Sequence, residues 1–133
     1  MAFIFGTRLG ETLNGVSGEN DFIFALAGDD DVVLASGNDR LFAGRGDDTL
    51  ADFIGAFGDT GDDTIFGGFG DDSYRFSSGD DVFFGGAGFD QVTLIGGEDD
   101  FEFEDLLLGR VRVTNLNTDA TLTTWNVEDF TFT

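Results

Sequence analysis

Nine aspartates recur along the chain at a nearly constant step. Asp21, Asp30, Asp39 and Asp48 lie nine residues apart, and after a gap of fifteen Asp63, Asp72, Asp81, Asp90 and Asp99 resume the same step. Two residues before each of the last eight stands a glycine: Gly28, Gly37, Gly46, Gly61, Gly70, Gly79, Gly88 and Gly97. A glycine-rich turn that closes on aspartate offers two kinds of hard oxygen, the carboxylate and the main-chain carbonyls that the turn aims inward. Calcium suits this mixture, because it takes about six to eight oxygens from carboxylates and carbonyls together. A single Gly-Asp-Asp is an ordinary soluble turn; eight such turns in register call for a cause that acts on the whole array. Catalysis has much less to draw on. The chain has no His and no Cys, and its six basic residues are all Arg, so the usual acids, bases and nucleophiles are missing. Paired carboxylates can hydrolyse glycosides, but carboxylates held in narrow turns give no sign of a cleft. The expectation is a protein that is not an enzyme.

Such aspartates must be positioned by repeated elements. Residues 58–93 read as four copies of one nine-residue unit, GDTGDDTIF, GGFGDDSYR, FSSGDDVFF and GGAGFDQVT. Each has Gly fourth, Asp sixth and a large apolar residue eighth, namely Ile65, Tyr74, Phe83 and Val92. The eighth residue alternates with polar neighbours, the period-two mark of a strand burying one face. A unit is therefore a six-residue turn followed by a three-residue strand. Ile23, Val32, Leu41 and Leu50 continue the apolar position in earlier units, and GTRLGETLNG at 6–15 reads as a degenerate first unit with Glu11 in the aspartate's place and Leu13 inward. The long gap contains six extra residues, Asp52 to Phe57. Because the register resumes unchanged, this insertion is expected to loop out of a turn; a slip inside a strand would reverse its faces.

On these units the chain resembles the RTX, or hemolysin-type calcium-binding, nonapeptide family, whose pattern is GGxGxDxUx. The resemblance spans roughly residues 16 to 103. It implies an all-β fold, a right-handed parallel β-roll in which two repeats make one coil and calcium lies in the turns between unit n and unit n+2. The carboxylates then pair as Asp21 with Asp39, Asp39 with Asp63, Asp63 with Asp81 and Asp81 with Asp99 along one edge. Along the other, Asp30 pairs with Asp48, Asp48 with Asp72, and Asp72 with Asp90. Up to about seven calcium ions are implied, with the glycines serving through carbonyls or turn geometry. The fifth-position acids Asp29, Asp47, Asp62, Asp71 and Asp80 are implied to face solvent. Two departures weaken the match: only 67–72 and 85–90 begin Gly-Gly, and Glu19 replaces the glycine before Asp21.

The whole chain of 133 residues suits a single structural unit that no disulfide can staple, since it lacks cysteine. Its 27 acidic residues leave a net charge of −21, yet 41% of it is hydrophobic and 17 residues are Phe, so it has the means to bury a core. A fold that awaits cations reconciles the two. The charge argues against nucleic acid or anionic lipid as partner. MAFIFGTRLGETLNG is not the pattern of a cleaved secretory signal, and no stretch is long enough for a membrane-spanning helix. The resemblance implies type I secretion instead, to a bacterial extracellular location. Residues 1–103 are expected to form the roll, regular from about 16, and 104–133 a small β cap of two or three strands, with TLTTWNVEDFTF also a candidate part of an export signal.

One row stands outside the repeat pattern. Phe24, Phe42, Phe66 and Phe84 each follow an inward residue in the column Ile23, Leu41, Ile65, Phe83 and Phe101, so they face outward from a single sheet, while Val33, Ala51, Arg75 and Thr93 hold that place opposite. Four Phe in a row form a contact surface or need covering, by the C-terminal segment, the 52–57 insertion or another molecule. The reading is a noncatalytic calcium-binding module that folds on calcium after export. Alternatives are an adhesion or assembly module whose Phe face meets a polysaccharide, a cell surface or a second copy, and the accessory domain of a secreted hydrolase or epimerase.

Overall fold

A computed structural model describes residues 1–52 and 61–133; most of the proposed insertion lies outside them. The strands are β1 (Phe3–Phe5), β2 (Thr12–Asn14), β3 (Phe22–Ala27), β4 (Asp31–Val33), β5 (Arg40–Arg45), β6 (Thr49–Ala51), β7 (Thr64–Phe69), β8 (Ser73–Phe76), β9 (Asp80–Ala87), β10 (Gln91–Leu94), β11 (Phe101–Asp105), β12 (Arg110–Asn115), β13 (Thr121–Trp125) and β14 (Asp129–Phe132). The described residues contain no α-helix, only one 3-10 turn at Glu98–Asp100.

From β1 to β10 successive strands alternate between two sheets. One runs β1-β3-β5-β7-β9-β13-β12-β11, the other β14-β10-β8-β6-β4-β2. From β1 to β10 every pairing is parallel and joins a strand to the second strand after it. The architecture is a parallel β-roll whose coil is two strands and two turns. Ile23, Leu41, Ile65 and Phe83 stack in one inner column, in register from coil to coil. Val32, Leu50, Tyr74 and Val92 stack in the facing one. All eight side chains are fully buried.

The strands of the first sheet are longer than a three-residue repeat strand, because pairing continues into the first three turn positions. There Gly44, Gly68 and Gly86 adopt φ of 115°, 111° and 105°. A Cβ at any of them would meet the carbonyl of the coil before, Leu26, Gly44 and Gly68 respectively, so close stacking of the coils depends on glycine. Leu26 heads this row at φ 80° and is half-exposed.

The C-terminal segment departs from expectation. Phe101 does not continue the column of Phe83: β11 pairs antiparallel with β12, β12 antiparallel with β13, and β13 lies parallel to β9 with Thr124 opposite Phe83. β14 then adds to the second sheet, Phe130 opposite Val92 and Phe132 opposite Leu94. Residues 121–132 thus form a last coil of the roll itself. The chain leaves the solenoid after β10, makes the β11–β12 excursion and returns, so a boundary at 103/104 cuts through β11.

Candidate metal sites

Each turn is tied to its neighbours by two side-chain ladders of opposite sense. In the sixth-position ladder a carboxylate reaches back one coil. Along one edge Asp39 Oδ1 accepts the Asp21 N–H at 2.7 Å, Asp63 Oδ1 that of Asp39 at 2.8 Å and Asp81 Oδ1 that of Asp63 at 2.9 Å. Along the other, Asp48 Oδ1 accepts from Asp30, Asp72 Oδ1 from Asp48 and Asp90 Oδ1 from Asp72, each at 2.9 Å. These are six of the seven expected pairs. Asp21, Asp30, Asp39, Asp48, Asp63, Asp72, Asp81 and Asp90 are all buried, with no more than 2% of any residue exposed.

The seventh pair is not made. Asp99 is exposed within the 3-10 turn, and its Gly97 has φ −84°, whereas Gly28, Gly37, Gly46, Gly70, Gly79 and Gly88 lie between 94° and 136°. The unit keeps its letters but loses its conformation because β13, not β11, occupies the next place beside β9. Its working acid is Asp100, held below the usual carboxylate range by hydrogen bonds from Asn117 Nδ2 (2.9 Å) and the Gly97 N–H (2.8 Å).

The second ladder lies at the fifth position. Asp29 accepts the Asp47 N–H at 3.0 Å, Asp47 that of Asp71 at 2.9 Å and Asp71 that of Phe89 at 2.8 Å. Asp62 accepts from Asp80, and Asp80 from both the main chain and hydroxyl of Thr121. These acids are at the surface, as expected, yet they are not idle solvent-facing charges: each reaches forward to the next coil. Asp and Asn share this ability, which is why Asn20 and Asn38 fit the same ladder.

The two edges differ in the residues at the first turn position, and on the first edge two of the second carboxylate oxygens have identified donors. On the first edge, Asp21 Oδ2 accepts the Val16 N–H at 2.6 Å and Asp81 Oδ2 the buried Tyr74 hydroxyl at 2.7 Å. Burial, followed by the charges of Asp81 and Asp52, pushes the Tyr74 phenol well above its usual range, so it stays a donor. In three of its coils the first turn position of this edge is apolar and buried, filled by Leu34, Phe76 and Leu94, whereas Val16 in the first is exposed. Asp52 takes that place in the coil between Leu34 and Phe76; rather than looping outward as the first inserted residue, it is fully buried, and its Oδ2 accepts the Ser77 N–H (2.6 Å) and hydroxyl (2.8 Å). An acid at an apolar repeat position was the one sequence signal of this anchor.

On the second edge the first turn position is small: Gly6, Ala25, Ala43, Gly67 and Gly85. Asp30, Asp48, Asp72 and Asp90 there each carry a buried Oδ2 with no hydrogen-bond partner. A Cβ on Gly67 would collide with Asp72 Oδ2 and, at 2.6 Å, with the Gly85 carbonyl oxygen; one on Gly6 would meet Glu11 Oε1 and the Ala25 carbonyl. Around Gly6, Gly67 and Gly85, carboxylate and carbonyl oxygens thus converge on a small cradle. Burial is the main cause that raises all four carboxyls, Asp48 to about 6 and Asp72 to about 7, with neighbouring acids adding to it and the N–H from the preceding coil opposing it. Buried carboxylate oxygens without a donor are costly unless a cation meets them. Among the described residues no three acidic side chains form a ready-made metal cluster, so carbonyls must supply much of any shell.

A family model for the RTX calcium-binding nonapeptide repeat matches four stretches in two overlapping pairs, 5–41 with 15–50 and 57–92 with 77–101, together more than half of the chain. The chain belongs to the RTX calcium-binding nonapeptide repeat family. No curated protein matches it. The repeats of this family bind calcium, and the second-edge oxygens of this RTX chain fit that ion: hard, anionic and carbonyl in kind, with the Oδ2 atoms of Asp30, Asp48, Asp72 and Asp90 lacking a hydrogen-bond partner. Among the described residues no helix is long and apolar enough to cross a membrane.

The outward Phe row of the RTX roll is longer than the repeats suggested. Phe5, Phe24, Phe42, Phe66, Phe84 and Trp125 form one stack, with centroids 5.3, 5.1, 4.9, 4.7 and 4.6 Å apart and planes within 18°. Arg110 lies 5.5 Å over Trp125. The C-terminal segment does not fold over the row; it extends it by one ring, and the rings cover one another's faces. Phe5 and Trp125 escaped the sequence reading because neither lies in a regular repeat.

Proposed function

We propose that this RTX chain is a noncatalytic module that folds when calcium enters its turns, after export by a type I system to a calcium-rich exterior. The observation that carries the reading is the row of Asp30, Asp48, Asp72 and Asp90, each with a buried, unpartnered Oδ2. Asp72 Oδ2 further converges with the Gly85 carbonyl on a cradle only glycine leaves open. Without cations, these acids repel and lose hydration; with them, binding energy becomes folding energy. We assign ligand roles to this row first, with the paired carboxylates Asp21, Asp39, Asp63 and Asp81 on the other edge. Asp99, exposed and outside the ladder, is not assigned one. The glycines Gly28, Gly37, Gly46, Gly61, Gly70, Gly79 and Gly88 act through turn geometry and carbonyls.

The stacked row Phe24, Phe42, Phe66 and Phe84 serves the roll as an internal brace. Sugars bind aromatic side chains on ring faces, and here those faces are spent on neighbouring rings, which favours the structural role over a glycan platform.

Circular dichroism during a calcium titration tests the reading. The chelated chain should be largely disordered and fold cooperatively in calcium, while equal magnesium, which prefers a tight octahedral shell and retains its waters, should not replace it. A cooperative thermal transition unchanged by EDTA would overturn it.

A further inference from the structure

The last coil, residues 121–132, does not follow the nonapeptide pattern, yet it rebuilds one feature of it. Trp125 lies opposite Phe84 and Asp129 opposite Gln91, so three residues, Asn126, Val127 and Glu128, span what six residues, 85–90, span in the coil before. Gln91 lies opposite Asp129 and Val92 opposite Phe130, so Glu128 falls opposite Asp90, the position a ladder aspartate would hold. It behaves as one: Glu128 Oε2 accepts the Asp90 N–H at 2.7 Å, as Asp90 Oδ1 accepts that of Asp72 at 2.9 Å. The extra methylene of Glu gives the shorter turn its reach.

The carbonyl is rebuilt as well. A Cβ on Gly67 would meet Asp72 Oδ2 and the Gly85 carbonyl; a Cβ on Gly85 would meet Asp90 Oδ2 and the Asn126 carbonyl. Asn126 therefore holds the place of Gly85 one coil on. It does so at φ 53°, a left-handed conformation that Asn tolerates better than most residues, with its N–H donated to the Gly109 carbonyl at 3.0 Å. Asp90 is fully buried, and its Oδ2 has no hydrogen-bond partner. The ion pairs found among the described residues, Arg112 with Glu104 and the N-terminus with Glu19, involve neither Asp90 nor Glu128. Asp90 Oδ2 and the Asn126 carbonyl thus converge beside Gly85, the Glu128 carboxylate is hydrogen-bonded to the main chain of the same Asp90, and neither acid belongs to an ion pair found among the described residues.

We propose that Asp90, Glu128 and the Asn126 carbonyl form a further calcium site, one whose acid comes from outside the repeats and whose occupation clamps the last coil onto the roll. This rests on the calcium reading above, and it extends the second-edge row by one ion. Trp125, the only Trp in the chain, adjoins Asn126 and stacks on Phe84 at 4.6 Å, so it reports on the docking of this coil.

The test uses the full chain, with calcium and terbium as probes. In the wild-type protein, excitation of Trp125 should sensitise emission from a terbium ion bound next to it, and calcium should displace that ion. Glu128→Gln keeps an oxygen to accept the Asp90 N–H but removes the charge; it should bind one calcium fewer and move the Trp125 fluorescence transition to roughly tenfold higher calcium. Asp129→Asn, the neighbouring acid, which accepts from Gln91 Nε2 at 2.8 Å, should leave both unchanged. Absence of Trp-sensitised terbium emission from a wild-type chain that folds in calcium overturns the site, whether or not Glu128→Gln folds. So do equal shifts in the two variants, or an unchanged ion count and Trp125 midpoint in Glu128→Gln. If the wild-type chain binds no calcium at all, the broader reading fails first.

Discussion

Asp71 and Asp72 are adjacent, identical in chemistry and opposite in situation. Asp72 is buried, reaches back to Asp48 and keeps Oδ2 unpartnered over Gly67; Asp71 is exposed and reaches forward to Phe89. Replacement by Asn preserves the accepting oxygen in both and removes only charge. Asp72→Asn should raise the calcium midpoint for folding roughly tenfold, about 1.4 kcal/mol, and make the calcium-free chain easier to order because a buried charge is gone. Asp71→Asn should move the midpoint little. Calcium titrations of the two variants followed by circular dichroism check this, and equal midpoints would show that the sixth position has no special role. Asp52 is a related case: in the sequence it stands at the start of an insertion with an acid at an apolar repeat position as its one signal, and its burial with a hydrogen bond from Ser77 shows an anchor.

At the scale of the element, the first sheet is braced by its aromatic stack. Phe66 lies between Phe42 and Phe84, 4.9 and 4.7 Å away with nearly parallel planes. Stacked aromatic pairs contribute about 0.5–1.5 kcal/mol beyond their burial. Phe66→Ala breaks two of them at the centre of the row and should cost about 2–3 kcal/mol in calcium. Arg75→Ala, at the equivalent outward place of the other sheet and exposed, should stay within about 0.5 kcal/mol. Urea unfolding at saturating calcium measures both. Similar losses would mean that the stack is incidental.

For the whole molecule the issue is a charge of −21 on a roll whose turns bury acids in rows. Burial raises Asp48 to about 6 and Asp72 to about 7, from an ordinary 3.8, and raises Asp30 and Asp90 in the same direction. A carboxyl whose pKa is higher folded than unfolded holds its proton more tightly in the folded state. The calcium-free fold is then favoured in acid and loses that stability as pH rises from about 4 to about 7. The chelated chain should therefore show more structure at about pH 5 than at about pH 8. Calcium must displace the same protons, so its midpoint should fall over that range and binding should release protons. Calorimetry in buffers of differing ionisation heat would detect the release; a midpoint independent of pH would contradict the burial of these acids in the folded state.

Much of this was legible in the linear chain because a solenoid is nearly one-dimensional. Each repeat contacts its neighbours, so a fixed step of nine sets the turn and inward positions, and the two-repeat coil that the family resemblance implies then gives the inward columns, the six aspartate pairs and the outward Phe row. The reading failed where that periodicity ends. The letters of the last unit matched, but Gly97 and Asp99 are not held in the ladder, because the partner that would hold them is displaced by β13 from twenty residues further on. Nor could spacing place Glu128 beside Asp90 or Trp125 on Phe84, since those contacts span 38 and 41 residues and arise only when the chain leaves the roll and returns. What packs behind particular carboxylates is likewise non-local: the Tyr74 hydroxyl reaches Asp81 on one edge, whereas on the other Asp72 and Asp90 Oδ2 converge with the Gly85 and Asn126 carbonyls. Local repetition determined the roll, while non-local packing decided what its last coil is and which groups lie beside Asp81 and Asp90.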